Sequence, residues 1–282
     1  MTGGTVMSDT LLAHEPMIRG GAFAFVLLAM TLWEAVARRR PQMIHRRQRW
    51  PSNLAIVVLD TLAVRLFFPL AAVGAALVAT EQGWGLFNLV SVPIWLSVVV
   101  SVVMLDVAIY FQHRLFHAVP WLWRLHRMHH ADLEFDVTTG LRFHPLEILI
   151  SMGIKLAVVT LLGAPALAVL IFEVLLNATS MFNHGNVRLP ARLDRWLRLA
   201  VVTPDMHRVH HSIVRRETDS NFGFNLPWWD RLFDTYRDQP AAGHLGMTIG
   251  IEDFREVRDL RLDRMLLQPF VNPSRDVQRQ RL

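Results

Sequence analysis

Long apolar runs separated by short basic or polar stretches fill the chain as far as residue 182, and mixed polar sequence follows. A helix needs about 20 apolar residues to cross a bilayer. The pattern predicts spanning helices over residues 17–37, roughly 53–80 and about 92–112. A further apolar block, residues 146–182, is broken by "GAP" at 163–165. That break reads as the turn of a helical hairpin and gives a fourth and fifth span. The first run lies too far from the start for a cleaved signal peptide and lacks a basic leader. The expected fold is an all-α, polytopic membrane bundle of four or five spanning helices, capped at one end by shorter polar helices.

Composition agrees: 52% of residues are hydrophobic and the mean hydropathy is +0.28. The net charge of +5 comes from arginine, with Lys155 the only lysine. Beside such apolar blocks, this charge points to a membrane surface rather than to nucleic acid. The segment "RRRPQMIHRRQRW", residues 38–50, holds six arginines, and the loop "EQGWGLFN", residues 81–88, holds none. By the positive-inside rule the first is cytoplasmic. Tracing the helices then puts residues 113–145, and everything from His184 onward, on the same side. The expected location is a bacterial inner membrane.

Lys155 and Glu173 lie inside the hairpin, each nine positions from Ala164 at its turn. At 1.5 Å per residue both sit about 14 Å from the turn. Intramembrane charges are costly and usually paired or functional. A mutual ion pair facing the bundle interior is expected, with a polar patch in a substrate cavity as the alternative.

The chain has no cysteine, which removes disulfides, thiolate metal sites and iron–sulfur clusters. Its thirteen histidines are the candidate ligands. Nine fall into patterned groups: His113 and His117 in "HRLFH"; His126, His129 and His130 in "HRMHH"; His184 in "NHGN"; His207, His210 and His211 in "HRVHH". Positions i, i+3 and i+4 share a helix face, so each group presents a patch of imidazoles. Pro120 is expected to open the helix of the first triplet. "TPD", residues 203–205, is expected to start that of the second, with Thr203 as N-cap. Clustered neutral imidazoles suit iron, zinc, copper or nickel, and nine ligands exceed one four-coordinate zinc site. They fit two metals with four or five ligands each. His14, His45 and His244 have no such pattern.

These histidine groups, with the blocks "DVAIYFQHRLFH", "PWLWRLHRMHH", "LRFHPLE", "VTPDMHRVHHS" and "NFGFNLPWWDRLFDTY", resemble the fatty acid hydroxylase/sterol desaturase superfamily of integral membrane di-iron enzymes. The resemblance covers about residues 95–237. It implies that the nine histidines bind two iron ions, with zinc able to replace them on purification. It also implies that O₂ is used to hydroxylate or desaturate a C–H bond of a lipid such as a sterol or fatty acyl chain. Electrons would come from a separate ferredoxin- or cytochrome-type donor. On this reading residues 1–91 form the N-terminal spanning helices and basic loop, 92–240 the catalytic domain and 241–282 a cytoplasmic tail. The stripe in "REVRDLRLDRMLL" would lie on the cap or the membrane surface.

Four more residues are candidates for supporting the ligands: His144 in "RFHPLE", Asn186 two positions after His184, and Tyr110 and Asp106 one and two turns before His113. Asn221, Trp229 and Asp230 are expected to fix the fold around the site. Other functions remain in view: a histidine-rich metal-binding membrane protein acting in metal transport, or a zinc-dependent hydrolase. The histidines lie at helix ends rather than at the midplane, and HExxH does not occur, which weighs against both.

Overall fold

The computed structural model describes residues 10–272. Its principal helices are α1 (Glu15–Val36), α2 (Arg46–Phe67), α3 (Ala71–Glu81), α4 (Ile94–Ala118), α5 (Pro120–His130), α6 (Pro145–Leu162), α7 (Ala166–Asn183), α8 (Ala191–Leu197), α9 (Pro204–His210) and α10 (Leu262–Leu267). Among the described residues there is no sheet, only the isolated antiparallel bridges Arg38–Val187 and Ser212–Ile249. Five segments are long and apolar enough to cross a membrane: α1, Arg46–Leu89 (which includes α2 and α3), α4, α6 and α7. Their outward faces expose large apolar side chains such as Phe25, Leu66 and Leu161, as a bilayer-facing surface requires.

The second span differs from the uninterrupted helix expected over 53–80. It begins earlier, at Arg46, and breaks between Phe67 and Ala71, around Pro69. Proline has no N–H to continue the helical ladder. Beyond the break Ala72, Ala76 and Ala79 are fully buried, and their small side chains bring α3 close against α6 and α7. At the far end of the bundle Gly163 closes α6 in the left-handed region, with φ +61°. A Cβ on Gly85 would lie 2.1 Å from the backbone nitrogen of Gly163, so the α3 and α6 turns meet backbone to backbone. The third span also runs further than expected, to Ala118, and carries His113 and His117 within it.

The expected ion pair is present: Lys155 Nζ lies 2.9 Å from Glu173 Oε1. A third charge, Arg19 of α1, joins it at 3.2 Å from Glu173 Oε2, so one buried carboxylate ties three helices.

At the opposite end the first turns of α2 enter the cap. Arg49 is fully buried and meets Asp132 through two bonds, of 2.8 and 2.6 Å, and Asp136 through one of 2.6 Å. Burial pushes both carboxyls up, but the Arg49 charge together with the hydrogen bonds they accept outweighs it and holds them below the usual carboxylate range. Five of the six arginines in 38–50 make such internal contacts: Arg38, Arg39, Arg40, Arg46 and Arg49. The stripe of α10 packs on the cap, where Met265 meets Ile56 of α2 and Met128 of α5.

Candidate metal centre

Four elements deliver the nine patterned histidines to one place. Pro120 starts α5, and Thr203 caps α9 by accepting from the Met206 N–H, as the local sequence demands. α4 supplies His113 and His117, α5 supplies His126, His129 and His130, and His184 closes α7. α9 supplies His207 and His210, with His211 next in line. None of the nine is more than 6% exposed. They divide into two groups: His113, His117, His126, His130 and His210 in one, and His129, His184, His207 and His211 in the other. Within each group the candidate donor nitrogens all lie within 4.8 Å of one another. His130 bridges the groups, its ring 4.6 Å from that of His210 and 4.5 Å from that of His211.

Each triplet therefore serves both groups. His126 and His130, one helical turn apart, go to the first, and His129 goes to the second. In α9 His210 goes to the first, while His207 and His211 go to the second.

Backbone and carboxylate groups orient many of the rings from behind. His113 Nδ1 is 2.9 Å from the Phe222 carbonyl, His184 Nδ1 2.8 Å from that of Ser180 and His210 Nδ1 2.7 Å from that of Ser220. His126 Nδ1 is 2.6 Å from Glu147 Oε1, and His117 Nδ1 is 3.2 Å from Asp219 Oδ1. A donor bond at Nδ1 leaves a lone pair on Nε2. In His113, His117, His126 and His210 that Nε2 is buried with no protein partner, and both nitrogens of His130 and His211 are orphaned. Buried polar atoms are otherwise paired, so this concentration of orphaned donors fits a metal. In the second group His184 Nε2 lies 3.1 Å from Nε2 of both His129 and His207. Two imidazole nitrogens at right angles on a metal, each about 2.0–2.1 Å away, would be about 3 Å apart.

Burial keeps the rings neutral, the form that binds metal. It pulls His129, His130, His207 and His211 well below their ordinary value, and His184 and His210 down to about 3; neighbouring imidazoles add to the effect. Close packing fixes the geometry further. A Cβ on Gly140 would fall 2.4 Å from the Ser180 carbonyl and 2.9 Å from His184 Nδ1. Only glycine fits there.

The four expected supporting residues fare differently. His144 does not reach the cluster: it caps α6 by accepting from the Leu146 N–H, and its Nε2 faces the Leu266 carbonyl at 3.3 Å. Asn186 is likewise elsewhere. It clips the basic loop, bonding Arg40 N–H and carbonyl at 3.0 and 2.9 Å. Asp106 accepts from the N–H groups of Asn225 and Leu226 and from Trp229 Nε1. Tyr110 bonds Thr235, which donates to Asp230, and Asp230 accepts from the N–H of Phe222 and of Gly223. Asp106 and Tyr110 thus act one step further out, by clamping the loop whose Phe222 carbonyl holds His113. Asn221 braces the same region by donating to the carbonyls of Met206 and Arg237.

The contact that sequence reasoning missed is Glu147. It stands in "LRFHPLE" three residues after His144, and a carboxylate opening an apolar helix was the available signal. Asp219 was missed too, in a polar stretch that carries no such signal.

A small cavity of about 40 Å³ touches both groups; its wall includes His113, His126 and His129, with Ile109, Gln112, Phe116, Phe143, Glu147 and Phe224.

A bundle with apolar outer faces and a buried double nest of imidazoles at one end defines an integral membrane protein with a metal-competent centre. Residues 98–235 match the model of the family described as fatty acid hydroxylase. These residues form a fatty acid hydroxylase domain, of the fatty acid hydroxylase/sterol desaturase superfamily. It is 33% identical over 159 residues to an ornithine lipid hydroxylase of Rhizobium tropici, covering 55% of this chain and 47% of that protein. It is 27% identical over 184 residues to human (Homo sapiens) alkylglycerol monooxygenase, covering 63% of this chain and 38% of that one. With cholesterol 25-hydroxylase of Rattus norvegicus it shares 24% identity over 151 residues, covering 52% and 49%. The matched region spans less than half of each of these relatives. No solved structure gives a significant match.

Proposed function

We propose that this chain is a membrane di-iron oxidoreductase that uses O₂ to hydroxylate or desaturate a C–H bond of a lipid. The observation that carries the reading is the division of nine buried, inward-aimed imidazoles into groups of five and four. His113, His117, His126, His130 and His210 would hold one iron, and His129, His184, His207 and His211 the other. Bound iron supplies the reduction of O₂ and the oxidation of the C–H bond. Zinc can take the same imidazoles during purification, since affinity follows availability. The names of the relatives, which act on an ornithine lipid, an alkylglycerol and cholesterol, support a lipid substrate.

The chain's own residues orient and shield. Glu147 and Asp219 hold His126 and His117 with their Nε2 inward and offset the charge of a cation that neutral imidazoles cannot cancel. The carbonyls of Phe222, Ser180 and Ser220 do the orienting for His113, His184 and His210. Phe116, Phe143 and Phe224 line the cavity and exclude water.

Hydroxylation converts R–H, O₂, two electrons and two protons to R–OH and water. Desaturation takes two hydrogens from the lipid and releases two waters. With no cysteine to hold an iron–sulfur cluster, a separate ferredoxin- or cytochrome-type donor delivers the electrons. We place the catalytic domain at residues 92–240, between the N-terminal helices of 1–91 and the tail of 241–282. The centre lies on the cytoplasmic side of a bacterial inner membrane, supported by the six arginines of 38–50 at the cap end.

Metal analysis of the purified protein, joined to lipid oxidation with a chemical reductant supplied and with and without O₂, tests the reading. Two irons per chain and O₂-dependent product are expected. Zinc alone, with lipid hydrolysis indifferent to O₂, would overturn it.

A further inference from the structure

The cavity beside the histidines is too small for a lipid. Its volume of about 40 Å³ holds a few heavy atoms, a short stretch of chain at most. The rest of any lipid chain must lie outside, where the cavity wall gives way to the seam between α4 and α6. On α4 the wall is Ile109, Gln112 and Phe116, spaced along one helix face, and on α6 it is Glu147. Across this seam Gln112 Nε2 donates to Ser151 Oγ at 2.8 Å. Ser151 lies one helical turn beyond Glu147.

That bond engages one end of the Gln112 amide. The other end, Oε1, is buried without any partner, and so is Oε2 of Glu147. An unpaired buried carbonyl loses the hydrogen bond it would make in water. Glu147 already has a task, since its other oxygen holds His126. Gln112 touches no histidine ring by hydrogen bond and supports no loop. Its amide is an acceptor left over in a wall otherwise made of apolar side chains and the centre itself.

Resting on the hydroxylase/desaturase reading, we propose that Gln112 is a specificity-determining residue that accepts a hydrogen bond from a hydroxyl or amide N–H of the lipid, a few bonds from the carbon that is oxidised. Two acceptors at the seam, one of them a carboxylate, select a neutral donor-bearing group and repel a free carboxylate. The reacting carbon occupies the cavity, and the donor group sits at Gln112, towards the bilayer. Oxidation therefore falls near the polar head of the lipid and not at the far end of its chain.

The test compares two lipids of equal chain length that differ in one group: an N-acyl amide, and the ester in which oxygen replaces the N–H. Binding of each to the metal-loaded, full-length protein in phosphatidylcholine nanodiscs is measured. A site that presents an acceptor discriminates against the partner lacking the donor, here by about 10- to 100-fold in Kd. The Gln112→Met substitution keeps the bulk, removes the Gln112 acceptor while leaving that of Glu147, and is expected to lower the ratio several-fold with metal content unchanged. A wild-type ratio near one, failure to bind either lipid, or a ratio unaltered in Gln112→Met would overturn the assignment. A wild-type ratio near one refutes the assignment whether or not the variant folds, and Gln112→Leu serves for the second comparison if Gln112→Met does not fold. Binding is read without turnover. If the same preparation, supplied with O₂ and a chemical reductant, never oxidises a lipid, the hydroxylase/desaturase reading fails while a high amide-to-ester ratio still stands.

Discussion

Replacing Arg49 by methionine should collapse the cap around the histidines. Arg49 is fully buried and makes three bonds of 2.6–2.8 Å to Asp132 and Asp136, which are also fully buried. Removing one partner of a buried ion pair costs about 3–5 kcal/mol, because the remaining charge is left unpaired. Here two carboxylates are stranded, which puts the expected loss at the upper end, about 5 kcal/mol. Against a total stability of about 5–15 kcal/mol this is severe. At about 2–4 °C per kcal/mol for a large domain, the melting temperature should fall by roughly 10–20 °C. Trp50 reports on the change directly, since its Nε1 donates to Asp136 at 3.2 Å. Unfolding in detergent followed by tryptophan fluorescence is the assay. Adding Asp132→Asn and Asp136→Asn to Arg49→Met removes the stranded charges and should recover a good part of the loss. A single variant melting within about 3 °C of wild type, or a triple variant no better than the single, would refute the reasoning.

Three further outcomes are expected. Glu147→Gln keeps the shape behind His126 but loses the carboxylate; metal affinity should drop about 10- to 100-fold by competition with a chelator, and unchanged affinity would remove Glu147 from the centre. In the hairpin, Lys155→Met should be milder than Glu173→Leu, because Arg19 still neutralises Glu173. The Lys155→Glu, Glu173→Lys double swap should not restore stability, since it sets the new lysine beside Arg19, and full recovery by melting temperature would deny the three-charge arrangement. Acid should destabilise the metal-free protein. His184 and His210 titrate at about 3 when folded, against an ordinary 6.5, so the unfolded chain binds more protons between those values. Stability is complete above about pH 6.5 and is lost progressively as pH falls towards 3. A melting temperature flat from pH 7 to about 4 would contradict this.

Much of this was legible because it rests on local pattern. Apolar length marked the spans, the "GAP" turn marked the hairpin, and i, i+3, i+4 spacing put each histidine group on one face. The break near Pro69 was hidden because the residues on both sides are apolar, and hydropathy does not register a kink. Which histidine joins which group could not be read from the triplets, because one helical turn feeds both histidine groups. Supporting residues were the least legible. His144 and Asn186 lie close to ligands in sequence, yet their side chains turn to backbone groups of other segments. Glu147 reaches His126 only because α6 folds back against α5. The arginines of 38–50 were read as surface charge, and three of the six, Arg39, Arg40 and Arg49, are engaged with partners far along the chain, including Asp132 and Asp205.

The central claim is that these nine histidines support O₂-dependent oxidation of a lipid. Mass spectra of the total lipids from cells grown under isotopically labelled O₂, with the wild-type chain or its His130→Ala variant, test it most directly. The account predicts a lipid in the wild-type sample that carries one labelled oxygen or two fewer hydrogens, and its loss in the variant. Identical lipid profiles in the two samples, or an added oxygen that carries no label, would contradict it.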